Sequence, residues 1–120
     1  MDMKDVKRYF LSKKGAFLDY PFNQEVAVFK VGGKMFGLIN VNEPERKSVN
    51  LKYPKEKIHE IRSVFPDIIP GYHMHKEHWN TVYIDRDLEE EFIKELIDIS
   101  YDIVFNSLTK KAQKEIIDGD

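Results

Sequence analysis

Apolar residues recur along this chain in two rhythms, near four residues in some stretches and every second residue in others. The change of rhythm marks the elements. Val6, Tyr9, Phe10 and the stem of Lys13 fall at helical spacing and predict a first helix over residues 2–13. Asp2 stands at the N-cap position with Asp5 in the first turn, and Lys14-Gly15 supplies the stop. The run Val26-Ala27-Val28-Phe29-Lys30-Val31 is rich in β-branched residues and predicts a strand. Gly32-Gly33 predicts a two-residue hairpin turn, because both positions need positive φ, and residues 34–41 form the return strand. That turn pairs Val31 with Lys34, Phe29 with Phe36 and Ala27 with Leu38, leaving Lys30, Met35, Gly37 and Ile39 on the other face. Gly37 marks a close approach to the sheet, most simply by a helix.

Residues 42–46 read as a polar turn, and residues 47–52 as a third strand. In that strand Val49 and Leu51 face one way and Ser48, Asn50 and Lys52 the other, so one side of the sheet is expected to be wet. Pro54 opens a second helix with the stripe Ile58, Ile61, Val64 and Phe65, and Pro66 ends it. Residues 67–71 read as a turn-rich connection and 79–84 as a fourth strand. Asp87 is the expected N-cap of a long helix over 88–106, whose stripe Phe92, Leu96, Ile99 and Ile103 is widened by Ile93, Ile97, Val104 and Leu108. A short terminal helix follows over 109–117. Phe17, Tyr20, Pro21 and Phe22 are expected to plug one end of the core. The fold class is α+β: an N-terminal helix, a three-strand antiparallel meander, a helix, a fourth strand and a long C-terminal helix, with the helices packed on one face of the sheet. The 120 residues are expected to form one domain, residues 1–120.

Composition narrows the chemistry. There is no cysteine, which excludes a disulfide framework, a thiolate metal site and thiol catalysis. No apolar run is long enough to span a membrane, and the N-terminus lacks a signal-peptide core, so the expectation is a cytoplasmic protein with no membrane partner. The net charge of −2 is uneven: residues 1–60 hold 12 Lys and Arg against 8 Asp and Glu, and residues 61–120 hold 7 against 13. A pI near 6.1 does not match a strongly basic nucleic-acid binder.

The densest concentration of chemistry is Pro70-Gly71-Tyr72-His73-Met74-His75-Lys76-Glu77-His78-Trp79-Asn80-Thr81-Val82, with three of the four histidines and the only tryptophan. Together with Pro21-Phe22, the run from Phe29 to Phe36, Val49-Asn50-Leu51-Lys52, Ile69-Pro70-Gly71-Tyr72-His73 and Leu96-Ile97-Asp98-x-Ser100-Tyr101, it resembles the MmcQ/YjbR family over residues 3–115. The resemblance implies a compact α+β fold like that of the frataxin homologue CyaY, or a "double-wing" DNA-binding arrangement.

Four chemistries are open to these residues. A non-catalytic module would use the wet sheet face and the 70–82 loop to bind a protein partner or a small ligand, and this is the leading expectation. A nucleic-acid module is the alternative: Lys30, Lys34, Lys52, His73, Lys76 and His78 would frame a groove, Asn50 and Asn80 would hydrogen-bond, and Tyr72 or Trp79 would stack on bases. A lesser alternative is a metal held by His73, His75 and His78 with Glu77 or water. Catalysis has the thinnest support, a histidine near Asp98 or Asp102, since no P-loop, dinucleotide loop, Ser-His-Asp order or HExxH is present. No cofactor is expected, no catalytic or metal residue is assigned, and the expected state is a monomer or weak dimer.

Overall fold

A computed structural model of the chain describes residues 1–41 and 47–119. The polar turn expected at 42–46 lies outside the described residues. Six strands make one antiparallel sheet: β1 (Phe17–Asp19), β2 (Val26–Val31), β3 (Lys34–Asn40), β4 (Ser48–Lys52), β5 (Ile68–Pro70) and β6 (Trp79–Tyr83). Their order across the sheet is β1-β2-β3-β4-β6-β5. The helices are α1 (Met3–Ser12), α2 (Ile58–Val64), α3 (Glu90–Ser107) and α4 (Lys110–Asp118). The expected α+β class and one-sided helix packing are therefore present, with two more strands than the sequence announced.

Asp2 and Asp5 close α1 with a reciprocal capping box, Asp5 N–H donating to Asp2 Oδ1 at 2.8 Å and Asp2 N–H to Asp5 Oδ2 at 3.3 Å. Gly32 and Gly33 both take positive φ, 58° and 81°, as the hairpin turn requires. The strand register beyond the turn differs from expectation. Val31 pairs with Lys34, but a bulge between Phe29 and Lys30 brings Phe29 opposite Gly37, Val28 opposite Leu38 and Ala27 opposite Ile39. The bulge inserts a residue and slips the pairing by one. Phe36 faces the helices with Phe29, and Met35 faces away, as expected; beyond the bulge Gly37 and Ile39 turn toward the helices and Leu38 away, the reverse of the expected faces. At Gly37 a Cβ would lie 2.3 Å from the Phe10 ring, so the close approach is by α1. Phe10 stacks on Phe29 with centroids 4.4 Å apart and meets Phe36 edge-on at 5.6 Å.

α3 is the main cover of this rear face. Its buried residues Ile93, Leu96, Ile97, Tyr101 and Val104 join the strand residues Phe29, Val31, Phe36, Val49, Leu51 and Val82 in one core. Ser100, fully buried, mends the sheet where the ladder between β3 and β4 is short. Its hydroxyl donates to Phe36 C=O at 2.6 Å and accepts Lys52 N–H at 2.8 Å. Asp98 ties α1 to α3, accepting from Tyr9 Oη and Lys13 Nζ, each at 2.7 Å.

Three further expectations are corrected. Asp87 does not cap α3; Glu89 occupies the N-cap, and Asp87 instead donates its N–H to Asp67 Oδ2 at 3.2 Å. Residues 68–70 are an edge strand, which accommodates Pro70 because an edge has no outer partner. The aromatic segment after Gly15 is not a core plug: Phe17, Leu18, Tyr20 and Phe22 are all exposed, because β1 carries this segment to the sheet edge against β2. Among the described residues no helix is long and apolar enough to cross a membrane.

Candidate functional site

The face of the sheet opposite the helices carries its own chemistry. Side chains alternate across β4 and β6, so the pairs Ser48 with Tyr83, Asn50 with Thr81 and Lys52 with Trp79 share this front face, while Leu51 and Asn80 point to the rear. A small apolar cluster, Val28, Leu38 and Trp79, sits on the front of β2, β3 and β6, with Val26, Met35 and Met74 packed against it. Trp79 is 5% exposed, and Lys52 Nζ lies 5.6 Å from its ring centroid. The indole is thus a structural anchor of the front face.

The segment 71–78 folds back over this face and is tied down at several points. Gly71 N–H donates to Trp79 C=O at 2.9 Å, Met74 N–H to Gly71 C=O at 3.2 Å and Trp79 N–H to His75 C=O at 3.0 Å. Gly71 has no room for a side chain, since a Cβ would come within 2.9 Å of both Trp79 and Met74. Arg62 of α2 clamps the far end, donating from Nε to Asn80 Oδ1 at 2.6 Å and from Nη2 to Trp79 C=O at 3.1 Å and to Lys76 C=O. His73 takes φ 61°, the one non-glycine positive φ among the described residues, and its ring meets Tyr72 edge-on at 4.2 Å.

Between this loop and the sheet lies a cavity of about 340 Å³. Val26, Met35 and Leu38 give it an apolar half of floor, and Ser48, Asn50, Thr81 and Asn40 a polar half. Tyr72, His73 and Met74 form one wall and Phe22 the other. The polar half is organised by a hydrogen-bond relay: Tyr72 N–H donates to Thr81 Oγ1 at 2.8 Å, and Thr81 Oγ1 donates to Asn50 Oδ1 at 2.6 Å. A hydroxyl has one proton, so the relay commits Asn50 Oδ1 as acceptor and leaves its Nδ2 as a donor. Ser48 is 9% exposed and its hydroxyl has no hydrogen-bond partner among the described residues. Among the described residues no Lys, Arg, Asp or Glu lines the cavity. A second hollow of about 500 Å³ lies at the start of α3, but Asp67, Asp87 and Glu89 line it and Asp67 is already engaged by Arg86 and by Asp87 N–H.

The residues singled out by sequence separate into groups. Asn50, Tyr72 and His73 meet in the cavity. Trp79 and Lys52 lie on the same face, packed on each other, while Asn80 is buried on the rear as a partner of Arg62. Lys30 is held by Asp19 at 2.8 Å, a contact that together with Tyr20 N–H keeps the Asp19 carboxyl below its ordinary pKa. Lys34 reaches Ser107 at the end of α3, 3.3 Å away, and Lys76 bonds Gly71 C=O at 3.2 Å. The lysines therefore do not converge on one groove. His78 stacks near His75, with centroids 4.8 Å apart, and His75, Glu77 and His78 place ligand-type atoms within 4.8 Å of one another on the exposed turn, without His73. Asp98 is occupied by Tyr9 and Lys13. Sequence reasoning missed the floor of the cavity, Val26, Met35, Leu38, Ser48 and Thr81, and the Arg62 clamp. The alternation of β4 signalled that a face was open, and nothing local signalled what would roof it.

The fold and cavity define a class: an α+β protein with an antiparallel sheet whose rear is sealed by helices and whose front holds a loop-roofed pocket. The chain belongs to the YjbR family, whose model matches residues 11–103. It is 35% identical over 113 residues to the Escherichia coli O157:H7 protein YbdF, covering 94% of this chain and 92% of that one. It is 29% identical over 117 residues to YjbR of Escherichia coli K12, covering 98% of each. Both relatives are described as uncharacterized and bring no activity with them. Among solved structures, the Deinococcus radiodurans protein DR2400, a DUF419 domain, superposes with a TM-score of 0.87 at 31% identity over 96% of this chain and 87% of that one. A Pseudomonas syringae protein matches at 0.73 and 26% identity, over 87% and 99%.

Proposed function

We propose that this protein is a non-catalytic binding module whose ligand is a small molecule held between the front of the sheet and the 71–78 loop. The observation that carries this reading is the cavity itself. Its volume lies at the small end of the range of about 300–1,000 Å³ for ligand pockets, and it combines an apolar floor with a few convergent polar groups. A left-handed His73 in the wall adds support, since backbone strain tends to collect where a loop is shaped for a task. Nucleic-acid binding draws less support, because Lys30, Lys34 and Lys76 are each turned to a partner within the chain. A ligand-observed NMR screen of small aromatic and aliphatic compounds tests the reading. Binders are expected, and Tyr72→Ala with Phe22→Ala, both at exposed positions, should abolish binding while leaving the fold intact. Binders that persist in the double variant, or duplex DNA that binds with a steep salt dependence, would contradict it.

A further inference from the structure

We infer that the ligand is an uncharged aromatic ring bearing an amide or lactam edge, bound with its ring over Val26 and Leu38 and its carbonyl at Asn50 and Ser48. The inference rests on the pocket reading above and specifies its chemistry.

Charge is decided first. A charged group taken out of water needs a counter-charge, and the described residues of the cavity lining offer neither carboxylate, ammonium nor guanidinium. The portion of the ligand that rests against these residues is therefore neutral. Shape is decided next. The floor is the flat front of a sheet, and Tyr72 and His73 stand over it as aromatic walls, which suits a planar ring more than a bulky aliphatic one.

Polarity is decided by two groups with unused hydrogen-bonding capacity. The Tyr72–Thr81–Asn50 relay spends Asn50 Oδ1 and leaves Nδ2 without a partner among the described residues. Ser48, two residues along the same face of β4, is nine-tenths buried and unpartnered in the same sense. A buried hydroxyl without a partner is costly, so a ligand that supplies one gains what the free protein lacks. Nδ2 is a donor, so its match is an acceptor, and a carbonyl fits. The serine hydroxyl both donates and accepts, so it can serve the carbonyl or the adjoining N–H. Amide and lactam rings present these two groups side by side.

A matched series of one-ring probes tests this: benzamide, toluene, benzoate and benzylammonium, each titrated into the full ¹⁵N-labelled chain at neutral pH. Benzamide should shift the amides of Leu38, Asn50, Met74 and Thr81 and bind at least about tenfold more tightly than benzoate or benzylammonium. Its preference over toluene should fall in Asn50→Ala and in Ser48→Ala, with the spectra confirming that each variant is folded. Equal binding by either charged ring, or by toluene, overturns the ligand class and leaves the pocket standing. The comparison among wild-type titrations decides that point even if a variant fails to fold. A benzamide preference that survives in both folded variants overturns the roles of Asn50 and Ser48. If no ring shifts any of the four amides, the pocket reading itself is lost and the ligand class with it.

Discussion

The two faces of this sheet are built on different terms. At the rear, Phe10, Phe29, Phe36, Ile97 and Val31 are fully buried, the ring stack is continuous, and buried or half-buried polar groups tie one element to the next. Ser100 bridges two strands, and Asp98 takes both Tyr9 and Lys13. At the front, three buried residues make a minor core around Trp79, and beside it a cavity holds a serine hydroxyl and an asparagine amide nitrogen that have no partner among the described residues. A face of stacked rings cross-tied by Ser100 and Asp98 is organised for stability. A face that leaves donors idle under a roof is organised to receive something.

The sharpest test of that contrast is to truncate one aromatic anchor on each side. Phe10→Ala should destabilise the fold by about 3–5 kcal/mol, as large buried truncations do. Trp79→Ala should cost about as much, roughly 3–5 kcal/mol in urea unfolding, because the indole is a packed anchor and not an exposed contact. A Trp79→Ala variant of near wild-type stability would show that the front has no structural core of its own. Next in size is Ser100→Ala, which leaves Phe36 C=O and Lys52 N–H facing each other across a gap, at about 1–3 kcal/mol. Its loss should appear as faster amide exchange at Lys52.

Smaller again is Tyr9→Phe, expected to cost about 1 kcal/mol near neutral pH through its lost hydrogen bond to Asp98. Here pH sharpens the test. Burial, then the Asp98 hydrogen bond, push the Tyr9 phenol from an ordinary value of 10.0 up to about 12. The folded state thus holds its proton more tightly than the unfolded one. The contribution is complete below pH 10 and is lost as pH rises toward 12. Wild type should therefore lose stability more steeply than Tyr9→Phe between pH 10 and 12. Some slope should remain in the variant, because burial also raises Tyr53 and Tyr101. Parallel curves would contradict the assignment. The smallest stability effect belongs to the outer wall of the pocket: Phe22→Ala should stay within about 0.5 kcal/mol of wild type, since the ring is exposed, while removing that wall.

What the sequence made legible divides along the same line. The rear could be read because its signals are periodic. The stripes of α1 and α3, the glycine pair of the hairpin and the alternation of β4 each repeat often enough to declare their buried side. The three-residue strands β1 and β5 are too short to show a period, and Pro70 in β5 suggests a turn. The bulge at Phe29 leaves no mark in the residue pattern, yet it exchanges the faces of Gly37, Leu38 and Ile39. The lysine groove expected from the sequence dissolved for a related reason. Lys30 finds Asp19 only because β1 pairs with β2, and Lys34 finds Ser107 only once α3 crosses the sheet. The cavity was the least legible feature. Its floor draws on β2, β3, β4 and β6, brought together by the non-sequential neighbours β4 and β6, and its roof is a loop that Arg62 holds from α2. Of its lining only Asn50, Tyr72 and His73 were named beforehand as binding residues, Asn50 on the face expected to be wet and the other two in the 70–82 loop.

One measurement bears on the division most directly: ¹³C-methyl spectra of the full chain during titration with benzamide. Methyls of Val26, Met35, Leu38 and Met74 on the front should shift, while those of Val31, Ile39, Val49 and Ile97 on the rear should stay in place. Shifts confined to the rear methyls, or spread equally over both sets, would contradict the account.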